Sequence, residues 1–457
     1  MSSIHFLNSE RRSLTIKVAH AVLDGKHNFR LAIMAFSEQN IVLFYPEIDM
    51  SLLAASVSQA PALPLAGIRV IEFTHTIMGP YCGMVLADLG ADVIKIEAVE
   101  GDRTRKLEGF AQGFFPTFNR NKRAFAVNLK SERGQSIVKE LIATADVVIE
   151  NFAPGTMERL GLGFEQLAAD NPALIYCALK GFLTGPYEHR LALDEVVQHM
   201  SGLAYMTGLP GKPMRTGASV VDIFGGLLGA FGILTALRER DKTGQGQFVR
   251  SALFEAACCF MAQHLAGEAI TGIKREPLGA KRGTWAVYRT FQTSDDKSIF
   301  LAITSDQHWR RFCAEFRLDD LLTDPSIQTN EDRVNENARL MPIIEKLFAS
   351  YDLDTICKRL DAATLPFSES SRPGDLFDNP QLNHEDRMLS VRMPNGKMAK
   401  LPRMPLEIGN HDFSLRNHPP ELGEHTEEIM RELGLGEELS ELSALNVVRA
   451  PSKAAAA

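Results

Sequence analysis

The strongest constraint on the fold is an alternation. Between residues 63 and 270, short β-branched runs are followed repeatedly by helical segments. "IRVIEF" has the density of a buried strand, "THTIMGPYC" reads as a turn, "GMVLADLG" as a helix ending at Gly90, and "ADVIKIE" as a second strand. Such a unit implies parallel strands joined by a right-handed crossover. The pattern returns in "SERGQSIVKELIATA", capped by Ser131, before the strand "DVVIENF", and in "FEQLAADNP" before "ALIYCALKGF". A long helix over 222–240 then precedes "FVRSALF". Together these predict an open, doubly wound α/β domain with helices on both faces, over residues 63–270.

Beyond residue 270 the grammar changes. "VYRTFQTSDDKSIFLAIT" reads as a hairpin, and "MLSVRMPNGKMAKLP" as a second one with Asn395-Gly396 at its turn. Helices such as "SDQHWRRFCAEF" and "DLDTICKRLDAA" lie between them, so residues 271–404 read as a smaller α+β domain. Residues 1–62 carry two apolar patches, "RLAIMAF" and "IVLFY", before the linker-like "LLAASVSQAPALP". Glu10, Asp24 and Glu38 argue against an acid-poor transit peptide there. Residues 451–457 read as a frayed tail.

Charge narrows the partners. The formal net charge is −8, so no global basic field recruits nucleic acid. No apolar stretch approaches the roughly 18 residues of a membrane span, so no membrane is expected. Six cysteines without a CxxC spacing read as reduced thiols of a cytoplasmic protein.

The strand–turn–helix–strand opening invites a dinucleotide site with Glu97 as the ribose acid, but the glycines refuse it. Gly79 and Gly83 do not form GxGxxG, and Pro80 stands where backbone should approach a pyrophosphate. No Walker A, HExxH, EF-hand or zinc-ligand spacing occurs, so no metal is expected, and no GxSxG elbow supports a serine hydrolase. Carboxylate chemistry remains, or none. Asp222, in "RTGASVVDIFGGLLGAFGILTALRER", stands in a segment almost free of charge, where an ionised carboxylate needs a reason. It reads either as a helix cap or as a nucleophile in a dry pocket. Asp194, in "LALDEVVQHMSG", begins a helix and reads as a cap. His75 ends a strand beside a glycine turn. Asn151 and Phe152 close another strand at its carboxyl end, where open α/β sheets bind ligands, and Arg159 follows on the next short helix. Arg120, Lys122, Arg123 and Lys130 make a basic stretch, either a solvated turn or a phosphate clamp.

Five segments taken in order resemble the family III CoA-transferases (the CaiB/BaiF family), the group that includes formyl-CoA and carnitine CoA-transferases. They are "LPLAGIRVIEFTHTIMGPYCGMVLADLGADVIKIE", "FNRNKRAFAVNLKSERGQ", "DVVIENFAPGTMERLGLG", "VVDIFGGLLGAFGILTALRERDKTGQGQ" and "ELGEHTEEIMRELGL". The resemblance spans about residues 63–450 and leaves residues 1–62 outside it. It implies an interlocked, ring-like homodimer whose large domain is built from both chain ends, so that residues 405–450 return to it. It places the nucleophile at Asp222. His75, Leu129, Lys130, Asn151, Phe152 and Arg159 match positions around the CoA moiety, with Asp194, Gly225 and Gly226 as possible support. The glycines would let thioester and backbone approach closely. The substrates implied are an acyl-CoA and a small carboxylic acid, with no tightly bound cofactor. CoA would pass through an aspartyl anhydride and an aspartyl-CoA thioester.

Departures from the pattern shape the expectation. Ile77 stands at a Gln-bearing turn of the formyl-CoA enzymes, and Ala98 replaces a basic residue after the second strand, leaving Lys95, Arg103 or Arg105 to supply the charge. Lys281 and Arg282, with Arg289 nearby, read either as facing a second carboxylate, which suggests a dicarboxylic acid such as succinate, or as a solvent-facing loop. Two alternatives stay open. An α-methylacyl-CoA racemase would pair Asp222 with a histidine near Leu193, where His189 and His199 are the only neighbours in sequence. A non-catalytic CoA-binding scaffold would bind CoA without exchanging it.

Overall fold

The computed structural model describes residues 62–278 and 284–451, and the backbone of four strands before them. Those strands, β1 (Ser3–Leu7), β2 (Ser13–Leu23), β3 (Phe29–Ser37) and β4 (Asn40–Phe44), form an antiparallel meander, and the two apolar patches fall on β3 and β4. Contacts divide the chain into one unit of residues 1–62 and 407–412 and another of residues 63–406 and 413–457. The readings of Lys281, Arg282, the linker and the tail beyond residue 451 lie outside the described residues.

Six parallel strands carry the larger unit: β5 (Arg69–Phe73), β6 (Asp92–Glu97), β7 (Arg123–Val127), β8 (Val147–Glu150), β9 (Ile175–Lys180) and β10 (Phe248–Ala252). Their spatial order is β10-β9-β8-β5-β6-β7, so the winding reverses between β5 and β8. That reversal opens a crevice at the carboxyl ends of these two strands. The order is the one dinucleotide-binding proteins use, although the glycine fingerprint is missing. Helices α1 (Met78–Asp88), α2 (Asp194–Ser201), α3 (Val220–Thr243) and α4 (Leu253–Thr271) cover the face that carries Val70, Val147, Ile149, Cys177 and Leu179. Helices Glu132–Ile142, Phe164–Asp170 and Thr426–Glu432 cover the face of Ile71, Phe73, Val148 and Tyr176. Burial on both faces explains why these strands read as near-continuous apolar runs.

Two helices differ from their sequence reading. α1 begins at Met78, ahead of "GMVLADLG", and takes Gly79 and Pro80 into its first turn. Proline loses no bond there, because first-turn N–H groups have no intrahelical partner. α3 extends to Thr243 and is, by length and composition, long and apolar enough to cross a membrane, which corrects the expectation that no such stretch exists. In this fold its glycines press it onto neighbours. A Cβ at Gly226 would stand 2.4 Å from the Met78 carbonyl oxygen, one at Gly229 2.5 Å from Leu179, and one at Gly232 2.6 Å from Val249.

The smaller sheets are β11 (Val287–Gln292), β12 (Ser298–Ile303) and β13 (Phe367–Glu369), and the hairpin β14 (Met388–Arg392) with β15 (Met398–Pro402), whose turn sets Gly396 at φ +78°. β16 (Val448–Arg449) then pairs antiparallel with β7. Ahead of it, Arg123 reaches Glu428 at 2.9 Å and Glu432 at 2.6 Å, and the His425 N–H donates to the Ala124 carbonyl at 3.1 Å.

A closed set of charges lies beneath the carboxyl edge. Lys95, opposite Glu72 in the β5–β6 register, is 3.6 Å from that carboxylate and 3.1 Å from Asp102, and donates to the Thr74 carbonyl at 2.7 Å. Lys122 lies 2.8 Å from Glu72 and donates to the Pro80 carbonyl at 2.9 Å. Two cations and two carboxylates balance, and buried charges persist only when so paired and hydrogen-bonded. For Arg120, Lys122 and Arg123 both readings, solvated turn and phosphate clamp, are thereby corrected: Lys122 is internal, Arg120 is buried against Asp88 at 2.6 Å, and Arg123 binds Asp92 at 2.7 Å, while Lys130 stays exposed.

Gly83 completes the arrangement, because a Cβ there would lie 1.8 Å from Glu72 Oε2. Gly83→Ala must displace one member of a buried ion pair. Urea unfolding should report a loss of about 3 kcal/mol, the scale for breaking such a pair.

Candidate active site

Asp222 is the third residue of α3 and does not cap it. Ser219 holds the cap position and makes no side-chain bond there. The capping carboxylate comes from another helix: Asp194 Oδ2 accepts from the N–H groups of Val221 at 2.9 Å and Asp222 at 3.0 Å. Asp194 was expected to cap its own helix; it is instead the first residue of α2 and caps α3. Val220 donates to the Ala218 carbonyl at 2.8 Å and Ile223 to the Ser219 carbonyl at 3.1 Å. All four opening donors of α3 are therefore satisfied within the chain. Asp194 is buried and bonded to Gln198 Nε2, and Gln198 Oε1 accepts the Thr216 N–H at 2.9 Å, which ties the approach to α3 onto α2.

Among the described residues no donor reaches the Asp222 carboxylate. Burial, then the charges of Asp194 and Glu195, push its pKa up to about 7. A rise from 3.8 to about 7 corresponds to roughly 4 kcal/mol against the charged form. A helix N-terminus returns at most ~2 kcal/mol at such a partly buried site, so desolvation and like charge win. Asp222 shares a helix face with Gly225 and Gly226 one turn on. Met78 fills the space at both glycines, its methyl 2.7 Å from a Cβ at Gly225, so they serve helix packing rather than approach of a ligand. Their closeness sets Asp222 beside the start of α1, where Ile77, 3% exposed, packs with Ile223, Tyr81 and Phe118.

The switch-point crevice is built on the loops after β5 and β8. The His75 N–H donates to Asn151 Oδ1 at 3.0 Å, and Asn151 Nδ2 donates back to the His75 carbonyl at 2.9 Å. The rings of His75 and Phe152 stack with centroids 5.8 Å apart. Gly79 admits this pairing, since a Cβ there would meet Thr74 at 2.5 Å and Asn151 at 3.0 Å. Thr76 takes φ +68°, a strained value for a β-branched residue, at the sharp entry into α1. Although His75 is exposed, partial desolvation by the surrounding protein lowers its pKa, with Asp102 opposing and Lys95 and Arg103 adding to the fall.

Charges around the crevice separate clearly. Of the three basic candidates, Lys95 is sealed in the buried cluster. Arg105 binds Glu97 at 2.6 Å and lies 3.7 Å over the Phe115 ring. Arg103 is exposed on the short helix after β6 and has no partner among the described residues. Leu129 and Lys130 follow β7 at the same edge, Leu129 partly in the core and Lys130 exposed. Arg159 is exposed on the helix Thr156–Arg159 and donates to Thr156 Oγ1 at 3.0 Å. Arg289 is not free, lying 3.7 Å from Glu345. Leu193 is exposed, His199 is exposed on α2, and His189 lines a cavity of about 530 Å³ with Phe164 and Phe248.

Sequence reasoning named Asp194 as support for the site but missed that it caps α3, and it missed the Ile77–Ile223 contact. Neither leaves a local signal, because each joins segments that only folding brings together. The comparisons agree with this architecture. The sequence profile of CoA-transferase family III matches residues 65–426. The chain is 31% identical over 377 residues to the succinyl-CoA:glutarate CoA-transferase of Mus musculus, covering 81% of this chain and 86% of that one. It is 32% identical over 383 residues to the succinate–glutarate CoA-transferase of Agrobacterium fabrum, covering 81% and 96%. The crystal structure of a CaiB/BaiF family protein from Brucella suis superposes with a TM-score of 0.73 at 32% identity, covering 81% of this chain and all of that one.

Because the folded state holds Asp222 protonated to a higher pH than the unfolded chain does, its ionisation erodes stability as pH rises from about 4 through 7. Asp222→Asn should therefore raise the unfolding free energy by a few kcal/mol at pH 8 and change it little at pH 4, measured by urea titration at both.

Proposed function

This chain belongs to CoA-transferase family III and transfers CoA from an acyl-CoA thioester to a free carboxylic acid; from that premise we propose that Asp222 is the nucleophile and that the acid is a dicarboxylate. The observation that carries the first part is the half-buried Asp222 carboxylate, unsupported by any described donor and opposed by Asp194 and Glu195. A charge held at high energy gains most by becoming neutral, and acylation neutralises it.

The exchange then runs without a proton. An oxygen of Asp222 attacks the thioester carbonyl, the C–S bond breaks, and CoA leaves as its thiolate from a mixed anhydride. The thiolate attacks the aspartyl carbonyl of that anhydride, giving an aspartyl-CoA thioester and releasing the first acid as its carboxylate. The acceptor carboxylate attacks this thioester, forming a new anhydride and thiolate. Attack of the thiolate on the acceptor's own carbonyl yields the new acyl-CoA and frees Asp222. Every nucleophile is an anion, so no general acid or base is required. The apolar group of Ile77, Ile223, Tyr81 and Phe118 keeps water from the anhydride.

CoA lies along the carboxyl edge, against His75, Asn151, Phe152 and Leu129, with Arg103, Lys130 and Arg159 turned to its phosphates. Arg103 takes the place that Ala98 leaves without charge. Two relatives are named for succinyl-CoA or succinate together with glutarate, which supports a dicarboxylic acceptor here. A second copy of the chain packs on the open apolar side of α3 and α4, where Leu227, Phe231, Leu265 and Ile270 are exposed. Six free cysteines fit a reducing, cytoplasmic setting.

Incubation with succinyl-CoA and a panel of glutarate, malate and acetate, read by mass spectrometry, should give a new thioester with a dicarboxylate and none with Asp222→Ala. Product from the alanine variant would remove the nucleophile. The acidic limb of kcat/KM should lie near pH 7, and Asp194→Asn should move it down by roughly one pH unit, because one like charge is gone. Arg103→Ala should raise KM for succinyl-CoA about tenfold with kcat nearly unchanged, the scale of one lost charge-assisted hydrogen bond.

A further inference from the structure

Phe152 is gripped by a pair of charges to which the mechanism gives no part. Glu150 and Lys180, the last residues of β8 and β9, meet at 2.6 Å, with side chains only 3% and 16% exposed. Lys180 Nζ donates to the Phe152 carbonyl at 2.8 Å, and the Phe152 N–H donates to Glu150 Oε2 at 2.9 Å. The ion pair thus holds both backbone polar groups of a single residue, and the three groups close a ring. The parallel ladder between β8 and β9 already aligns Glu150 with Ala178, so strand pairing does not depend on these side chains.

We propose that Lys180, acting with Glu150, is a positioning residue for CoA: it fixes the Phe152 backbone and so the ring that lies on His75. The inference rests on the reading that CoA binds against His75, Asn151 and Phe152. A peptide bond just past a strand end has lost its ladder partners and turns freely unless side chains take their place. Here rotation would swing Phe152 off His75 and break the stack that faces the ligand. The loop on the other side of the crevice is held alike, since Lys95, on the strand beside β5, donates to the carbonyl of Thr74, one residue before His75. Two lysines from the flanking strands therefore secure the two chain segments that leave the switch point. Lys180 touches no reacting atom, so its removal acts on binding rather than on acyl transfer.

The test measures free CoA by isothermal titration calorimetry on the full chain, with steady-state kinetics on succinyl-CoA. Lys180→Met should weaken CoA at least tenfold and raise KM for succinyl-CoA in parallel, while kcat at saturation stays within threefold. Lys180→Arg, which keeps a cation within reach of both acceptors, should restore affinity to within threefold. Phe152→Ala separates the two levels: if it leaves CoA affinity unchanged, CoA does not use this loop and the site reading itself fails. If Phe152→Ala weakens CoA and Lys180→Met leaves affinity within twofold, the positioning role alone is overturned. A fall in kcat matching the loss of folded protein, with KM unchanged, would also overturn it and mark the pair as purely structural. Should Lys180→Met be insoluble, Lys180→Met/Glu150→Met leaves no unpaired buried carboxylate and is read by the same outcomes.

Discussion

Where α3 crosses α1, a methyl group at Gly226 would stand 2.4 Å from the carbonyl oxygen of Met78, and one at Gly225 would strike the Met78 side chain. Two helices that pack through ordinary side chains keep their axes 8–10 Å apart. Glycine at both positions removes the spacer, and the first turn of α3 comes down beside the loop that ends β5. The geometry of the proposed chemistry depends on this. With larger residues at 225 and 226, Asp222 would sit on the same helix but away from the crevice that His75 and Asn151 define. Gly79 performs the corresponding service on the other side of α1, letting that helix begin against Thr74 and Asn151.

The charges of this chain fall into two kinds that burial makes easy to tell apart. Glu72, Lys95, Asp102 and Lys122 are sealed together and sum to zero, and they hold the backbone around them. Asp222 has only like charge beside it. Its neighbour Asp194 serves two ends at once: it satisfies the N–H groups that open α3, and its field raises the free energy of the carboxylate they carry. Stability is thereby lowered at the place where reactivity needs it, a pattern expected of functional sites.

Much of the fold was legible from short-range patterns. Five strands of the large sheet stand out as apolar runs, whereas β7, "RAFAV", was read only as part of a basic stretch, and Ser131 caps its helix as its position suggests, accepting the Gly134 N–H at 3.0 Å. The family segments carried the candidate residues as well, and His75, Asn151 and Phe152 meet at one point. What could not be read were relations across distance. Nothing near Asp194 says that its carboxylate caps a helix beginning 26 residues later, and nothing in "FNRNKR" says that its cations turn inward to Asp88, Glu72 and Asp92. The glycines of α3 were read as room for a ligand because sequence shows an absent side chain without showing what fills the space.

The seventh strand has a consequence for how the molecule is made. β16 is only two residues long, yet it covers the outer edge of β7, and Glu428 and Glu432 join Asp92 in holding Arg69 and Arg123. The sheet begun at Arg69 therefore keeps an open edge until residue 449 has been synthesised. Until then β7 exposes unpaired backbone, and Arg69 and Arg123 have Asp92 but not the glutamates of the later helix. For that interval the edge of β7 is open to pairing with the wrong strand.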